Sequence, residues 1–481
     1  MAPMAEAGLA IRSAQGRWTL AATVMASGMA FIDGTVVNVA VPKIGNEFHV
    51  GLADLQWTVT GYALTLSAFL LLGGALGDRY GRRRIFLIGL VWFAAASLLC
   101  AISPSAPILI AARALQGMGS ALLTPGSLAI IQASFRPQDR GQAIGSWSGF
   151  SALFGAIGPL LGGLIVQVAT WRLAFAINLP IAVVSVLITL RHVPETRREG
   201  PQGALDVPGP VLAALGLGGI TFGLIEGPAL GWSATEVVVA MAIGAACAIA
   251  FFSFEARHSD PLMPLGIFRN RAFSGANATT FVVYGAMGAV FFLLVVQLQD
   301  SLGYSAVLSG VALLPSIVLL LLFASMSGRL ASRIGPRIPM TVGPILVAAG
   351  MAIYMLVTPG ASYLFTVLPG SIVFGIGLVF TVPALTTTAM GALRSSLAGV
   401  ASAVNNDVAR AASLIAVAVV PALAGIPTGG NSVNRMQLAA RFPTAMLICA
   451  IGGVAGGVIS FFTIPDRLES AAQETTATAA S

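Results

Sequence analysis

Long apolar stretches separated by short polar segments dominate this chain of 481 residues. A helix that crosses the hydrocarbon layer of a membrane needs about 20 predominantly apolar residues. That criterion predicts about fourteen membrane-spanning helices, at 18–41, 54–76, 85–103, 107–134, 141–169, 171–190, 208–228, 234–254, 273–299, 306–328, 338–357, 362–390, 397–425 and 441–464. The pattern therefore indicates an all-α, polytopic membrane protein.

The composition agrees with this interpretation. Hydrophobic residues make up 57% of the chain and charged residues 9%, whereas a soluble domain usually carries about 25% charged residues. A net charge of +7 could suggest a nucleic-acid partner. The basic residues, however, lie in loops between the predicted spans, where the orientation rule for membrane proteins accounts for them. We therefore expect contact with membrane lipid and none with nucleic acid.

The basic residues also predict the orientation of the spans. An even number of spans places both termini on one side, and that side holds 19 of the 25 lysine and arginine residues. The other side holds four, and two more, Arg113 and Arg410, fall within spans. Basic loops stay in the cytoplasm. We expect a multi-pass protein of the cytoplasmic membrane with both termini inside.

A turn rich in glycine and arginine follows the second span and recurs later in the chain. The first copy contains Gly74, Leu76, Asp78, Arg79, Gly81, Arg82, Arg83 and Arg84. The second copy lies 254 positions further on and contains Gly328, Leu330, Ala331, Arg333, Gly335 and Arg337. Ser332 replaces Asp78 there, and Pro336 replaces Arg82. A duplicated turn at equivalent points is typical of secondary transporters built from two repeated halves.

The repeat predicts the domain organisation. An offset of 254 residues is long for six helices, which indicates two inserted helices between the halves. We predict a six-helix half at 1–190, a connector with two inserted spans at 191–272 and a second six-helix half at 273–465. The remaining segment, 466–481, is rich in Ala, Thr, Gln and Glu, and we expect a disordered cytoplasmic tail.

Two ionisable residues inside spans are the leading functional candidates, because their insertion cost must be offset. Asp33 lies in the first span and Arg113 in the fourth. Burial disfavours the charged form of a carboxyl group, so proton uptake by Asp33 is expected, with Arg113 holding the carboxylate in the empty state. The alternatives place Asp33 in water near the outer surface and Arg113 at the interface by snorkelling. Glu226 is a further coupling candidate, with simple interfacial placement as its alternative.

Other features have weaker functional support. Gly158, Pro159, Gly162 and Gly163 predict a bent, close-packed fifth helix. Asp407 and Arg410 are three residues apart on one helix and are expected to pair with each other. No Cys/His spacing indicates a metal site or a disulfide, and no nucleophile with its base indicates an enzyme. Six side chains could line a cavity: Met29, Phe31, Trp57, Asn277, Tyr284 and Gln297.

Several of these motifs resemble those of a known family. The turn from Gly74 to Arg84 resembles the loop 2–3 signature of the major facilitator superfamily, where the acid and the arginines act as a conformational switch on the cytoplasmic side. The stretch around Asp33 resembles a signature of the fourteen-helix drug:proton antiporters of the EmrB/QacA type, and the sequence around Arg113 resembles a superfamily motif tied to proton transfer. The segment Gly158–Gly163 resembles the motif that marks exporters.

The resemblance implies a major facilitator fold of two six-helix halves plus two inserted helices. It also implies a monomeric antiporter that exports lipophilic, cationic small molecules, powered by the proton gradient without a cofactor. An exporter of an endogenous metabolite or antibiotic, neutral or anionic, is the alternative. A transporter-fold sensor or scaffold is less favoured, because the loop 2–3 and helix 4 motifs are intact.

The orientation is open to a direct test. We expect a reporter enzyme that is active only outside the cytoplasm to be silent when fused after the last span, because the even span count returns the chain to the basic side. The same reporter inserted after the first span serves as the positive control. An active C-terminal fusion would contradict the predicted orientation.

Overall fold

The computed structural model describes residues 8–197, 206–258, 261, 263–394 and 397–467. Within these residues fourteen helices are long and apolar enough to cross a membrane, so the predicted number of spans is confirmed. The tail predicted to be disordered lies outside the described residues beyond Arg467, as does the middle of the predicted connector.

The spans are numbered here in chain order. They are α1 Ala14–Phe48, α2 Leu52–Tyr80, α3 Arg82–Ala101, α4 Ala106–Ser134, α5 Pro137–Val168, α6 Leu173–His192, α7 Pro208–Leu230, α8 Thr235–Glu255, α9 Arg271–Ser301, α10 Ala306–Ala331, α11 Arg337–Tyr354, α12 Tyr363–Gly391, α13 Gly399–Leu423 and α14 Arg435–Thr463.

Two spans differ from the prediction in a way that has a physical cause. Helix α1 covers 35 residues, because the polar segment after Pro42 continues the helix beyond the apolar stretch. Helix α10 is interrupted at Leu313. Pro315 follows at the start of the next segment, and proline provides no backbone N–H for an intrahelical hydrogen bond.

The first and last groups of six helices pack in the same pattern. In the first group α2 and α3 pack on α4, α1 packs on α5 and α6, and α3 contacts α6. In the last group α10 and α11 pack on α12, α9 packs on α13 and α14, and α11 contacts α14. Helices α7 and α8 pair with each other, and α7 also packs on α2 and α13. We refer to α1–α6 and α9–α14 as the first and second halves.

Hydrogen bonds join the two halves at one end of the helices. We call the end where α1 begins and α14 ends the terminal face. The hydrogen bonds lie at the other end, which we call the opposite face. The Ala53 amide donates to the Thr428 carbonyl at 3.0 Å. The amide side chain of Gln56 donates to the Val417 carbonyl at 2.6 Å, and that of Gln299 to the Val39 carbonyl at 3.0 Å. These three hydrogen bonds hold the halves together, so the structure is closed at the opposite face.

We call this closed contact between the two halves the seal. Helix α7 adds hydrogen bonds to it. The Trp57 indole of α2 donates to Glu226 Oε1 of α7 at 2.9 Å. The Thr428 hydroxyl, in the loop after α13, donates to the Ile225 carbonyl of α7 at 3.1 Å. One end of α7 is therefore bonded to both halves.

Small residues allow α5 and α10 to complete the seal. A Cβ atom added at Gly163 would lie 2.7 Å from the Ala306 carbonyl oxygen, and one at Gly310 would lie 2.5 Å from the Pro159 carbonyl oxygen. Real Cβ atoms essentially never approach so closely. The closed seam therefore requires glycine at both positions.

This packing generates a prediction about the conformational balance. Gly163→Val should shift the protein towards a conformation open at the opposite face, because the new side chain cannot fit against α10. The shift can be measured as a longer distance between spin labels at Thr170 and Ser362, after Cys247 has been replaced by Ser. Gly145→Val, where nothing lies within 4 Å of the added Cβ, is the matched control. An unchanged distance in Gly163→Val would rule out the proposed seam.

Candidate functional site

Asp33 lies near the middle of α1 and is completely buried. Its Oδ2 accepts a hydrogen bond from the Arg113 guanidinium at 2.5 Å. Its Oδ1 accepts two, from Gln116 Nε2 at 2.8 Å and from Asn178 Nδ2 at 3.0 Å. The alternative placement in water near the surface therefore does not hold.

Arg113 of α4 is also enclosed, with 1% of its surface exposed. Its Nε donates to the Thr58 carbonyl of α2 at 3.1 Å, and its NH1 donates to Gln116 Oε1 at 2.6 Å. The guanidinium stands over the Tyr62 ring, 4.4 Å from the centroid. A buried arginine remains charged and must find acceptors. These contacts supply them, so the side chain does not snorkel to the interface.

The local sequence explains why α4 can deliver these groups. Arg113 and Gln116 are three residues apart and so project from one face of the helix. At the next position, a Cβ on Gly117 would collide with the Tyr62 carbonyl of α2. Glycine there brings α4 close enough to α2 for Arg113 to reach the Thr58 carbonyl.

The network defines what the site can do chemically. A carboxylate with three charge-assisted or amide donors is stable as an anion in a buried position. A proton on Asp33 would cancel the ion pair, whereas Arg113 would retain two neutral acceptors, the Thr58 carbonyl and Gln116 Oε1. Proton binding can therefore cancel the ion pair between α1 and α4 and leave Arg113 with two acceptors, while the Gln116 hydrogen bond to Asp33 Oδ1 can persist.

Sequence reasoning missed three members of this network. Gln116 and Asn178 were not among the candidates, although both are polar side chains within spans. Ser97 of α3 accepts hydrogen bonds from Gln116 at 2.7 Å and from Asn178 at 3.3 Å. A search for every buried polar residue in the first half could have found the first two.

Glu226 is not part of this network. It lies in the last turn of α7 and accepts the hydrogen bond from Trp57 that belongs to the seal. Trp57 also packs near Phe222 of α7, with the ring centroids 6.3 Å apart. The structure thus brings Glu226 and Trp57 together at the opposite face, apart from Asp33 and Arg113.

The other side chains proposed for a cavity occupy different environments. Met29 is packed in the core of the first half, and Gln297 is buried and donates to the Val357 carbonyl at 2.9 Å, so neither is available to a ligand in this conformation. Asn277 is 4% exposed and accepts a hydrogen bond from Asn405. Phe31 and Tyr284 are half-buried.

The ion pair expected between Asp407 and Arg410 is not formed. Within the described part of the chain, neither side chain makes a hydrogen bond or an ion pair. Arg410 acts electrostatically on both Asp407 and the Tyr62 hydroxyl of α2 without a direct bond to either. Helical spacing permits the i,i+3 pair but does not require it.

The loop between α2 and α3 is fastened to the segment that follows α6. Asp78 pairs with Arg82 at 2.7 Å, and Gly81 has φ of +107°, which favours glycine. The Glu195 carboxylate accepts hydrogen bonds from the backbone amides of Arg83 at 3.1 Å and Arg84 at 3.2 Å. These amides belong to the first turn of α3, where N–H groups lack intrahelical partners and a negative charge is favourable.

The second copy of the turn has a corresponding partner. Gly335 has φ of +86°, and Arg337 pairs with Asp466 at 3.2 Å. Asp466 lies three residues after the end of α14, as Glu195 lies three residues after the end of α6. Each half therefore ends in a carboxylate that holds its own turn between the second and third helices.

The glycine–proline segment of α5 has two packing surfaces. A Cβ at Gly158 would collide with the Thr35 hydroxyl, and one at Gly162 would lie 3.0 Å from the Val36 carbonyl, both on α1 next to Asp33. Pro159 and Gly163 face α10 in the other half. The segment therefore connects the helix that carries Asp33 to the seal. Among the described residues, no group of three or more His, Cys, Asp or Glu could hold a metal.

Comparison with known proteins agrees with this architecture. The family model described as the Major Facilitator Superfamily matches residues 23–418. The chain belongs to the major facilitator superfamily. The expected fold is confirmed by structural likeness to the peptide transporter POT in complex with sulfate, which has a TM-score of 0.68 at 15% identity and covers 96% of this chain and 99% of that one. A bacterial homologue of the lysosomal transporter Spinster, in an inward-facing unoccupied conformation, has a TM-score of 0.65 at 17% identity, covering 94% and 97% of the two chains.

Relatives by sequence place this superfamily member among drug-efflux transporters. It is 34% identical to multidrug resistance protein Stp of Mycobacterium tuberculosis, over 83% of this chain and 74% of the relative. It is 35% identical to the puromycin resistance protein pur8 of Streptomyces alboniger, over 84% and 80%. It is 36% identical to the tetracenomycin C resistance and export protein of Streptomyces glaucescens, over 69% and 62%.

The buried ion pair of this transporter predicts a non-additive stability effect. Arg113→Ala should destabilise the protein by about 3–5 kcal/mol, because it leaves the Asp33 carboxylate uncompensated. The double variant Asp33→Asn with Arg113→Ala should recover part of that loss. Thermal unfolding of the purified variants in detergent measures both effects. Additive losses would show that the two charges are not coupled.

Proposed function

We propose that this protein is a proton-coupled antiporter that exports lipophilic, cationic compounds across the cytoplasmic membrane by alternating access. The names of its relatives refer to resistance and, in one case, export, which supports outward transport of toxic small molecules. The proton gradient would supply the energy, with no cofactor and with the protein acting as a monomer.

The observation that carries the proton coupling is the Asp33–Arg113 ion pair. It lies within a span, it is sealed from solvent, and one proton is sufficient to cancel it. Protonation would weaken the link between α1 and α4, and α1 also contacts Gly158 and Gly162 of the seal-forming helix. A lipophilic cation could compete for Asp33 once Arg113 has moved away, because it would relieve the same unpaired negative charge.

The loop between α2 and α3 would act as the conformational switch at the terminal face. The structure is closed at the opposite face, so the terminal face is the one from which a substrate would enter. In the alternate state the two terminal faces must meet, and the residues Gly74, Asp78, Arg79, Gly81, Arg82 and Arg83 would lie at that contact.

The second candidate function is export of a single antibiotic rather than of many compounds. Several relatives are named after a single antibiotic, namely puromycin, methylenomycin A or tetracenomycin C. An exporter of one antibiotic, neutral or anionic, would fit this pattern. A panel of cationic, neutral and anionic compounds, tested for accumulation in a host that lacks its own pumps, separates the two proposals.

The coupling proposal is tested by measuring substrate-induced pH changes in proteoliposomes. We expect the wild type to move protons when a cationic substrate is added, and Asp33→Asn to lose that movement, because the amide cannot exchange a proton. Glu236→Gln is a suitable control, since this side chain is exposed in the first turn of α8. Proton movement by Asp33→Asn at the wild-type rate would show that Asp33 is not the coupling acid.

A further inference from the structure

Asp407 of α13 is a carboxylate without a partner in the interior of the transporter. Its Oδ1 is buried and makes no hydrogen bond, and the side chain as a whole is half-buried. Within the described residues it forms no ion pair, even with Arg410 one turn away. A buried carboxylate oxygen without a donor carries a desolvation cost that a ligand could offset.

The position of Asp407 relative to the seal determines which face can reach it. Val417 of α13 belongs to the seal through its bond with Gln56. Asp407 lies ten positions earlier on the same helix, about 15 Å closer to the terminal face at the helical rise of about 1.5 Å per residue. Asp407 therefore lies on the terminal-face side of the seal.

Asp33 differs from Asp407 in this respect. Three donors occupy its two oxygens and its surface is fully covered, so a ligand can reach it only after Arg113 has left. In the conformation observed here, Asp407 therefore combines partial exposure with free acceptor capacity, which Asp33 does not.

We propose that Asp407 is the first binding site for the cationic group of the substrate, in the conformation that is closed at the opposite face. The inference rests on the proposed export of lipophilic cations and assigns their recognition to the second half, while proton coupling stays at Asp33 in the first.

Few other charged side chains on the neighbouring helices can act on Asp407 electrostatically. Of the helices packed against α13, α12 carries one titratable side chain, Tyr363 at its first position, and Arg410 is the group that acts on Asp407 electrostatically. Away from the helix ends, the titratable side chains on the other neighbours are Tyr62 of α2, Tyr284 of α9, Glu226 of α7 and Cys449 of α14; Arg435 and Arg441 lie at the start of α14, near the opposite face. Neither the tyrosines nor the cysteine carry a charge near neutral pH in their ordinary state, and Glu226 lies in the seal.

The test is binding of ethidium, a lipophilic monovalent cation, to the full-length protein in lipid nanodiscs, followed by fluorescence anisotropy. We expect Asp407→Asn to bind at least about tenfold more weakly than the wild type, because a charge-assisted contact is lost. Asp407→Glu should restore most of the affinity. Asn406→Ala is the matched control, since this exposed amide bonds only to the Ser402 carbonyl of its own helix.

A second measurement avoids substitution altogether. Dicyclohexylcarbodiimide modifies carboxyl groups in apolar surroundings, and mass spectrometry locates the modified peptide. Ethidium should protect Asp407 of the wild type from modification. Undiminished binding by Asp407→Asn, or absence of protection, would overturn the inference while leaving the proposed function intact. Failure of the wild type to bind ethidium would overturn the cationic substrate class and the inference with it.

Discussion

The buried ion pair between Asp33 and Arg113 is the interaction on which the first half depends. Two charges in a medium of low dielectric constant are tolerated only when their remaining donors and acceptors are satisfied. Here that requirement recruits Gln116, Asn178 and the Thr58 carbonyl, so one ion pair specifies contacts among α1, α2, α4 and α6. Because the network links these helices, one proton bound at Asp33 can change the contacts among several of them.

The seal between the halves uses a different kind of interaction. It consists of amide side chains bonded to backbone carbonyls and of glycines that let α5 and α10 touch. Such contacts carry no net charge, and each contributes about 1 kcal/mol. A seam of this type can open and close repeatedly, whereas an ion pair buried between the halves would resist separation.

Much of the fold could be predicted from the sequence, because apolar length and turn motifs depend on local composition. The fourteen spans are an example, and so is the identification of Asp33 and Arg113 as buried charges. The partners of Asp33 could not be predicted, since Gln116 and Asn178 are distant from it in sequence and their side-chain directions follow from helix packing. Asp407 illustrates the limit, because its spacing from Arg410 along α13 suggested an ion pair that the structure does not form.

The bonds of α7 to both halves have a mechanical consequence. When the opposite face opens, α2 and the loop after α13 must separate, and α7 cannot keep both Trp57 and Thr428 as partners. One bond must break in every cycle, and the hairpin then travels with the half that it retains. Most of the surface of α7 and α8 faces outward. The half that keeps its bond to α7 must therefore move this additional surface through the surrounding lipid, and the other half does not.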